Sequence, residues 1–229
     1  MIFRWDSATK ASVSAANLVL AVDGSRRDDP LVMLVDSHGE VAWLPPDELP
    51  GPVLVTAVRE GVRAHRSRIG SVIAVRGPGS YMGVRGGLAA ALGAAQALGC
   101  PLGLVGALEV VAAGCDPGDV AVLALADAGR GGTFGQEMVP AGGNSPRPGW
   151  HARGPTGLLG RQFPWPAAWC APPQAIGTPG EGRQLPSGTT VIDPVRDRQV
   201  SLARLVAAIP IAISGYDRVT ADYPEPVGA

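Results

Sequence analysis

The chain has 229 residues, a formal net charge of -1 and 46% hydrophobic residues. This length allows one large domain or two small ones, with enough apolar side chains for a core. The near-neutral charge provides no overall field that would hold nucleic acid or an anionic membrane. A nucleic-acid role therefore has to be local or supplied by a partner.

The cysteines and the apolar runs indicate the compartment. Cys100, Cys115 and Cys170 are an odd number at wide spacings, which favours neither a disulfide framework nor a metal knuckle. No run approaches the roughly 20 apolar residues that a membrane span needs. The apolar run at residues 18–22 is too short for a signal peptide. We therefore expect reduced thiols and a cytoplasmic protein that does not enter the membrane.

The first half of the chain shows clear strand and helix periods. Residues 1–17 show none and form an N-terminal extension. The predicted elements are strands at 18–22, 31–35 and 40–43, a helix at 53–64, a strand at 73–75, a helix ending at Leu98, a strand at 102–105 and a helix at 107–113. The short joints around the helix ending at Leu98 predict a βαβ crossover with parallel strands.

The second half of the chain has less regular strand and helix periods. After a joint at residues 114–118, the predicted elements are strands at 120–126, 133–139 and 189–192, and a helix at 201–208 capped by Ser201. Between residues 140 and 188, Pro and Gly recur every few residues, which predicts an irregular segment. The predicted organisation is an N-terminal lobe over 18–114 and a C-terminal lobe over 115–229.

A glycine-rich turn leads into the helix that ends at Leu98. Gly77, Gly79 and Gly83 follow the spacing G-x-G-x-x-x-G, one residue longer than the dinucleotide fingerprint, and no Gly-Lys-Ser/Thr follows. Pro78 removes one N–H group from the turn. A phosphate cradle at a helix start is one interpretation. The other, which the spacing favours, is a structural turn of Gly77, Pro78, Gly79, Ser80 and Gly83 that allows close packing of the helix on the sheet.

The helix itself carries no charge after Arg85, and none follows until Glu109. One of its stripes is apolar and consists of Val84, Leu88, Ala91, Leu92 and Ala95. The other stripe consists of very small residues: Gly86, Ala90, Gly93 and Ala97. A helix that is apolar on all sides is buried in its own core or covered by another molecule, and both options stay open here. The predicted partner-binding residues are Val84, Arg85, Leu88, Ala90, Ala91, Gly93, Ala94 and Ala97.

Few other residues suggest chemistry. Asp23, in the turn Asp23-Gly24-Ser25, either caps its own turn or positions a metal-bound nucleotide. The three histidines, at positions 38, 65 and 151, form no His-x-x-x-His pair, so no metal site is predicted. Six arginines form a modest basic cluster that is a solvated face or the rim of an interface: Arg59, Arg63, Arg66, Arg68, Arg76 and Arg85.

Residues 75–85, VRGPGSYMGVR, resemble the "GRGPGSFTGLR" signature of the TsaB family, also called YeaZ. These are bacterial tRNA threonylcarbamoyladenosine biosynthesis proteins of the actin-like, glycoprotease-related superfamily. Residues 20–25, LAVDGS, are similar to the family's "LAIDTS", and residues 101–109, PLGLVGALE, to its "PLVGVSSLE". Residues 126–131, ADAGRG, resemble "DARRGE" more weakly. The resemblance spans roughly residues 18–135.

The resemblance implies an α/β, actin-like (ribonuclease H-like) fold in tandem lobes, the first complete and the second small and irregular. It also implies a non-catalytic paralogue of the ligase TsaD, which transfers a threonylcarbamoyl group to the adenosine next to the anticodon. Such a subunit binds TsaD, is joined by the ATPase TsaE, reaches tRNA only through the complex and needs no cofactor of its own. A homodimer through the same helix is a further expectation. The alternative is an actin-like ATP-dependent kinase or hydrolase that uses Asp23 and the turn from Gly77 to Gly83.

Overall fold

The computed structural model describes residues 18–26, 28–46, 53–116, 119–141, 149–161, 164–165, 174–185, 187–192, 197–208, 219 and 221–222. The predicted N-terminal extension lies outside them. The strands are β1 (Leu18–Asp23), β2 (Leu31–Val35), β3 (Val41–Trp43), β4 (Ile69–Val75), β5 (Leu102–Val105), β6 (Val122–Gly129), β7 (Gly132–Pro140), β8 (Trp150–Leu159), β9 (Gln174–Gly177) and β10 (Thr190–Ile192). The helices are α1 (Val53–His65), α2 (Tyr81–Leu98), α3 (Ala107–Ala112) and α4 (Arg198–Ala208). None of these described helices is long and apolar enough to cross a membrane.

The first sheet has the order β3-β2-β1-β4-β5. Strands β1, β2 and β3 form an antiparallel meander, whereas β1, β4 and β5 are parallel. The predicted βαβ crossover through α2 is therefore confirmed. At the β2–β3 turn, Asp36 accepts hydrogen bonds from the N–H groups of Glu40 and His38, which lower the pKa of its carboxyl group.

The second sheet repeats this arrangement in the order β10-β9-β6-β7-β8. Strands β6, β7 and β8 form an antiparallel meander, and β6, β9 and β10 are parallel. Two of its strands, β8 and β9, come from residues 140–188, so the prediction of an irregular segment is wrong for these two stretches. Trp150 is buried and its Nε1–H donates to the Cys115 carbonyl at 3.3 Å. Pairing with β7 and this anchor impose a strand that local Pro and Gly content does not reveal.

The helices form layers on both sides of the first sheet. Helices α1 and α2 pack on one face. Helix α4, predicted as part of the second lobe, packs Leu202, Ala203 and Val206 on the opposite face. The predicted Ser201 cap is wrong, because α4 begins one turn earlier. The Asp197 side chain accepts the Val200 N–H at 2.9 Å, and the Ser201 hydroxyl donates to the Asp197 carbonyl.

Candidate functional site

The glycine turn fixes where α2 begins. Gly77 has φ +104° and is followed by a cis peptide bond to Pro78. The Ser80 side chain caps the helix by accepting the Gly83 N–H at 3.4 Å. At the other end Gly99 adopts φ +65°, and its N–H donates to the carbonyl of Gln96. Both ends of α2 are thus defined by local turn chemistry.

The turn packs directly on the end of β1. The Ser80 N–H donates to the Ser25 carbonyl at 2.8 Å. A Cβ on Gly24 would lie 2.1 Å from the Gly83 carbonyl oxygen, and one on Gly79 would lie 2.4 Å from the Ser25 carbonyl oxygen. The glycines are therefore explained by two backbones in contact. The Ser80 N–H, which a phosphate cradle would use, already has an acceptor.

Asp23 lies in an ion pair that connects the end of β1 to the first residue of α4. Its side chain is 1% exposed, against 14% for Arg198, and the Arg198 Nη2 lies 2.8 Å from the Asp23 Oδ2. The other oxygen, Oδ1, accepts the Ser25 N–H at 2.8 Å. Arg198 also contacts the Asp29 carboxylate at 2.8 Å. Asp23 is thus both a turn cap and the buried partner of a guanidinium group, so the position that a metal ion would take beside it is held by Arg198.

Arg198 is a site residue that the sequence does not predict. It lies 175 residues from Asp23, and no motif or period singles it out. Only the return of α4 to the first sheet brings the two charges together.

A cleft of about 1020 Å³ lies between the two lobes. Its walls are largely apolar, with Val110, Val111, Ile176 and Ile192 among them. Four carboxylates and two guanidinium groups line it: Asp23, Asp28, Asp127, Asp197, Arg26 and Arg198. The excess of negative charge opposes the entry of a polyphosphate. Among the described residues, no three His, Cys, Asp or Glu side chains are placed to hold a metal ion.

The outer face of α2 is the second candidate site. Of the predicted partner-binding residues, four lie in the core of the lobe, packed on the first sheet: Val84, Leu88, Ala91 and Ala94. The lobe itself covers these side chains, so we correct the predicted contact surface by leaving them out. Arg85, Gly93 and Ala97 are exposed, and Ala90 is half-buried. Gly86, Ala89 and Gln96 are exposed beside them. The predicted stripe of small residues, Gly86, Ala90, Gly93 and Ala97, therefore lies on this outer face.

Apolar side chains flank this face where α1 and α2 begin. The Leu54 Cδ1 lies 3.9 Å from the position of a Cβ on Gly87, so the two helix starts are side by side. Val53 and Val55 of α1 are more than half exposed, and Met82 of α2 is 74% exposed. Large apolar side chains left in water at the starts of two adjacent helices are typical of an interaction surface. We call this cluster, together with the outer face of α2, the α1–α2 surface.

Comparison with known proteins links this geometry to a family. Residues 52–143, which include α1, the glycine turn and α2, match the family model of TsaD, tRNA N6-adenosine threonylcarbamoyltransferase. Among solved structures, YeaZ from Pseudomonas aeruginosa has a TM-score of 0.59 and 22% sequence identity, over 90% of this chain and 99% of that chain. The chain has the fold of YeaZ. The predicted resemblance to the TsaB family, also called YeaZ, is thereby confirmed at the level of the fold, as is the predicted α/β architecture with two lobes.

A second solved structure is an uncharacterized protein from Pseudomonas aeruginosa, described as similar to peptidase YeaZ. Its TM-score is 0.51 at 24% identity, over 69% of this chain and 74% of that chain. No curated protein matches the chain. The YeaZ-like fold includes the second sheet, because the first of these structures covers nine-tenths of the chain.

The buried thiol of Cys100 provides a chemical test of the lobe around α2. Burial raises its pKa to about 11 from the usual 9.0, so at pH 8 its thiolate fraction is about 100-fold below that of an exposed thiol. We expect iodoacetamide to modify Cys100 at least about 100-fold more slowly in the folded protein than in denaturant, as measured by peptide mass spectrometry. Equal rates in the two conditions would contradict the packing of α2 against β5.

Proposed function

We propose that this protein is a non-catalytic accessory subunit in tRNA N6-adenosine threonylcarbamoylation. It binds a TsaD-type ligase through the α1–α2 surface, a TsaE-type ATPase joins the complex, and tRNA modification takes place on the ligase. The TsaD-family match over residues 52–143 supports this process, since it covers the segment that builds this surface.

The observation that carries the proposal is the outer face of α2. It is exposed and almost uncharged, and a Cβ added to Gly86 or Gly93 would meet nothing within 4 Å. The distance between packed helices depends on the side chains at their contact, so glycine and alanine allow a very close approach. Such a face contributes little to the stability of the isolated protein, but its shape fits a helix of a partner.

The state of the cleft supports the absence of catalysis. The carboxylate that the kinase alternative would use for a metal ion is paired with Arg198, and the turn that it would use for phosphate is packed on Ser25. The cleft itself is the observation that favours the alternative, because its volume of about 1020 Å³ is sufficient for a nucleotide.

Nucleotide titration separates the two functions. We expect isothermal titration of the isolated protein with ATP to show no tight, magnesium-dependent binding, because Asp23 is not free to hold the metal ion. Binding tighter than about 10 μM (about -7 kcal/mol) that requires magnesium would favour the kinase or hydrolase. The Asp23→Asn variant would then have to abolish it.

Co-purification tests the accessory role. The tagged full chain, expressed in its native cell, should retain a TsaD-type ligase at stoichiometric amounts, identified by mass spectrometry. Failure to retain any ligase, while the protein stays folded by circular dichroism, would refute the accessory role.

A further inference from the structure

The tip of the β6–β7 hairpin holds an arginine in an unusual backbone conformation. Gly129, Arg130 and Gly131 all have positive φ, at +77°, +54° and +75°. Arg130 is the only non-glycine residue with positive φ among those that the structure describes. A left-handed conformation is unfavourable for a residue with a side chain, and glycine would avoid this cost. Backbone geometry therefore does not explain the arginine, whose side chain is exposed.

A second arginine, from the end of β8, lies against the same tip. The Arg161 side chain crosses the backbone of Gly131, since its Cδ lies 2.7 Å from the position of a Cβ on that glycine. Within the described parts of the chain, neither Arg130 nor Arg161 forms an ion pair. The sequence separates them by 31 positions, and the pairing of β7 with β8 brings them to one edge.

Arg183 holds this edge in place. Its Nη1 donates to the Gly160 carbonyl at 2.9 Å and to the Arg161 carbonyl at 3.3 Å. Its guanidinium group stacks on Trp165, 4.8 Å from the ring centroid. Desolvation lowers the pKa of Arg183, as expected for a cation partly withdrawn from water. The backbone that carries Arg161 is thus fixed.

No carboxylate pairs with Arg130 or Arg161 among the residues that the structure describes. Asp127 uses its Oδ1 to accept the Gly129 N–H at 2.8 Å, and Glu181 is exposed. Neither forms an ion pair with the arginines in the described structure. Arg130 directly precedes Gly131, against which the Arg161 side chain lies, so two guanidinium groups without an ion pair in the described structure belong to one hairpin tip. Their planar fork matches phosphate oxygens.

We propose that Arg130 and Arg161 form a binding site for phosphate groups at the tip of the β6–β7 hairpin, with Arg183 as a positioning residue. The inference builds on the proposed function, in which the phosphates are those of an RNA backbone. The hairpin also borders the cleft through Asp127 and Gly129, so a nucleotide is the other source of the same chemistry.

The test measures fluorescence anisotropy of a labelled, unmodified tRNA transcript with the isolated full chain over a series of salt concentrations. The double variant Arg130→Gln/Arg161→Gln is expected to weaken binding about tenfold at low salt and to reduce the slope of log K against log salt by about 2. The matched control is Arg59→Gln/Arg63→Gln, which removes the same charge from α1, where Glu60 lies 3.7 and 3.3 Å from the two arginines. It should change the affinity less than about twofold.

A parallel titration with ATP without magnesium identifies the source of the phosphate. Binding of ATP but not tRNA, lost in the double variant, would support the site with a nucleotide as its ligand. Equal losses in the two double variants, or no binding of either probe at low salt, would overturn the site. The measurement needs no ligase, so its failure is distinguishable from failure of the co-purification.

Discussion

Gly93→Arg is expected to abolish assembly with the ligase while leaving the subunit folded. A Cβ at Gly93 meets open space in this protein, so the new side chain extends into water and the lobe is not disturbed. In the complex the same guanidinium group would be buried without a partner, which costs about 3 kcal/mol or more, or at least about 100-fold in affinity. Size-exclusion chromatography of the mixed proteins measures the loss.

Gly93→Ala is the matched control. Alanine in place of an exposed helical glycine should raise the free energy of unfolding by about 0.5–1 kcal/mol, since nothing in this protein contacts the added methyl group. It should weaken the complex only moderately. Ala90 is a poorer position for this test, because it is half-buried against the core of its own lobe. A complex that forms normally with Gly93→Arg would show that the partner binds elsewhere.

Gly93→Arg also tests whether the protein associates with a second copy of itself. An exposed apolar face favours pairing of two copies when the ligase is absent, and we expect a homodimer through the α1–α2 surface. Light scattering should then show a shift from dimer to monomer for Gly93→Arg. A dimer that persists in the variant would place the self-contact on another surface.

Arg198→Ala is expected to lower the free energy of unfolding by about 3 kcal/mol, because it leaves the Asp23 carboxylate buried without its partner. Asp23 is 1% exposed while the guanidinium group covers it. Water from the adjoining cleft can replace the hydrogen bonds of that group but not its positive charge. Urea unfolding at pH 7, followed by circular dichroism, gives the value.

Two further variants distinguish the contribution of the Asp23–Arg198 charges from that of side-chain packing. Asp23→Asn/Arg198→Met removes both charges and keeps similar volumes, so it should recover most of the lost stability. Asp29→Asn removes only the exposed partner, with a carboxylate 71% exposed, and should cost less than about 1 kcal/mol. A double variant as unstable as Arg198→Ala would show that Arg198 acts through packing and not through its charge.

The first sheet was predictable because its strands are continuous apolar runs and its helices have clear periods. Strand β8 was not, because four consecutive residues in its middle, 152–155, are exposed. An edge strand with Arg, Gly and Pro in its centre carries no alternating pattern, and its partner β7 determines its conformation. The repeated strand order of the two sheets likewise has no counterpart in a repeated sequence.

The features of the candidate site also fall into those that the sequence predicted and those that it did not. The turn at Gly77–Gly83, both stripes of α2 and the resemblance to the TsaB family could be recognised without a structure, because they depend on residues that are neighbours along the chain. Three other features could not: the Val84 stripe faces the core and the glycine stripe faces out, Arg198 neutralises Asp23, and Arg161 lies against Gly131. These are contacts between distant segments, and they form only when burial of the apolar faces brings the sheets and helices together.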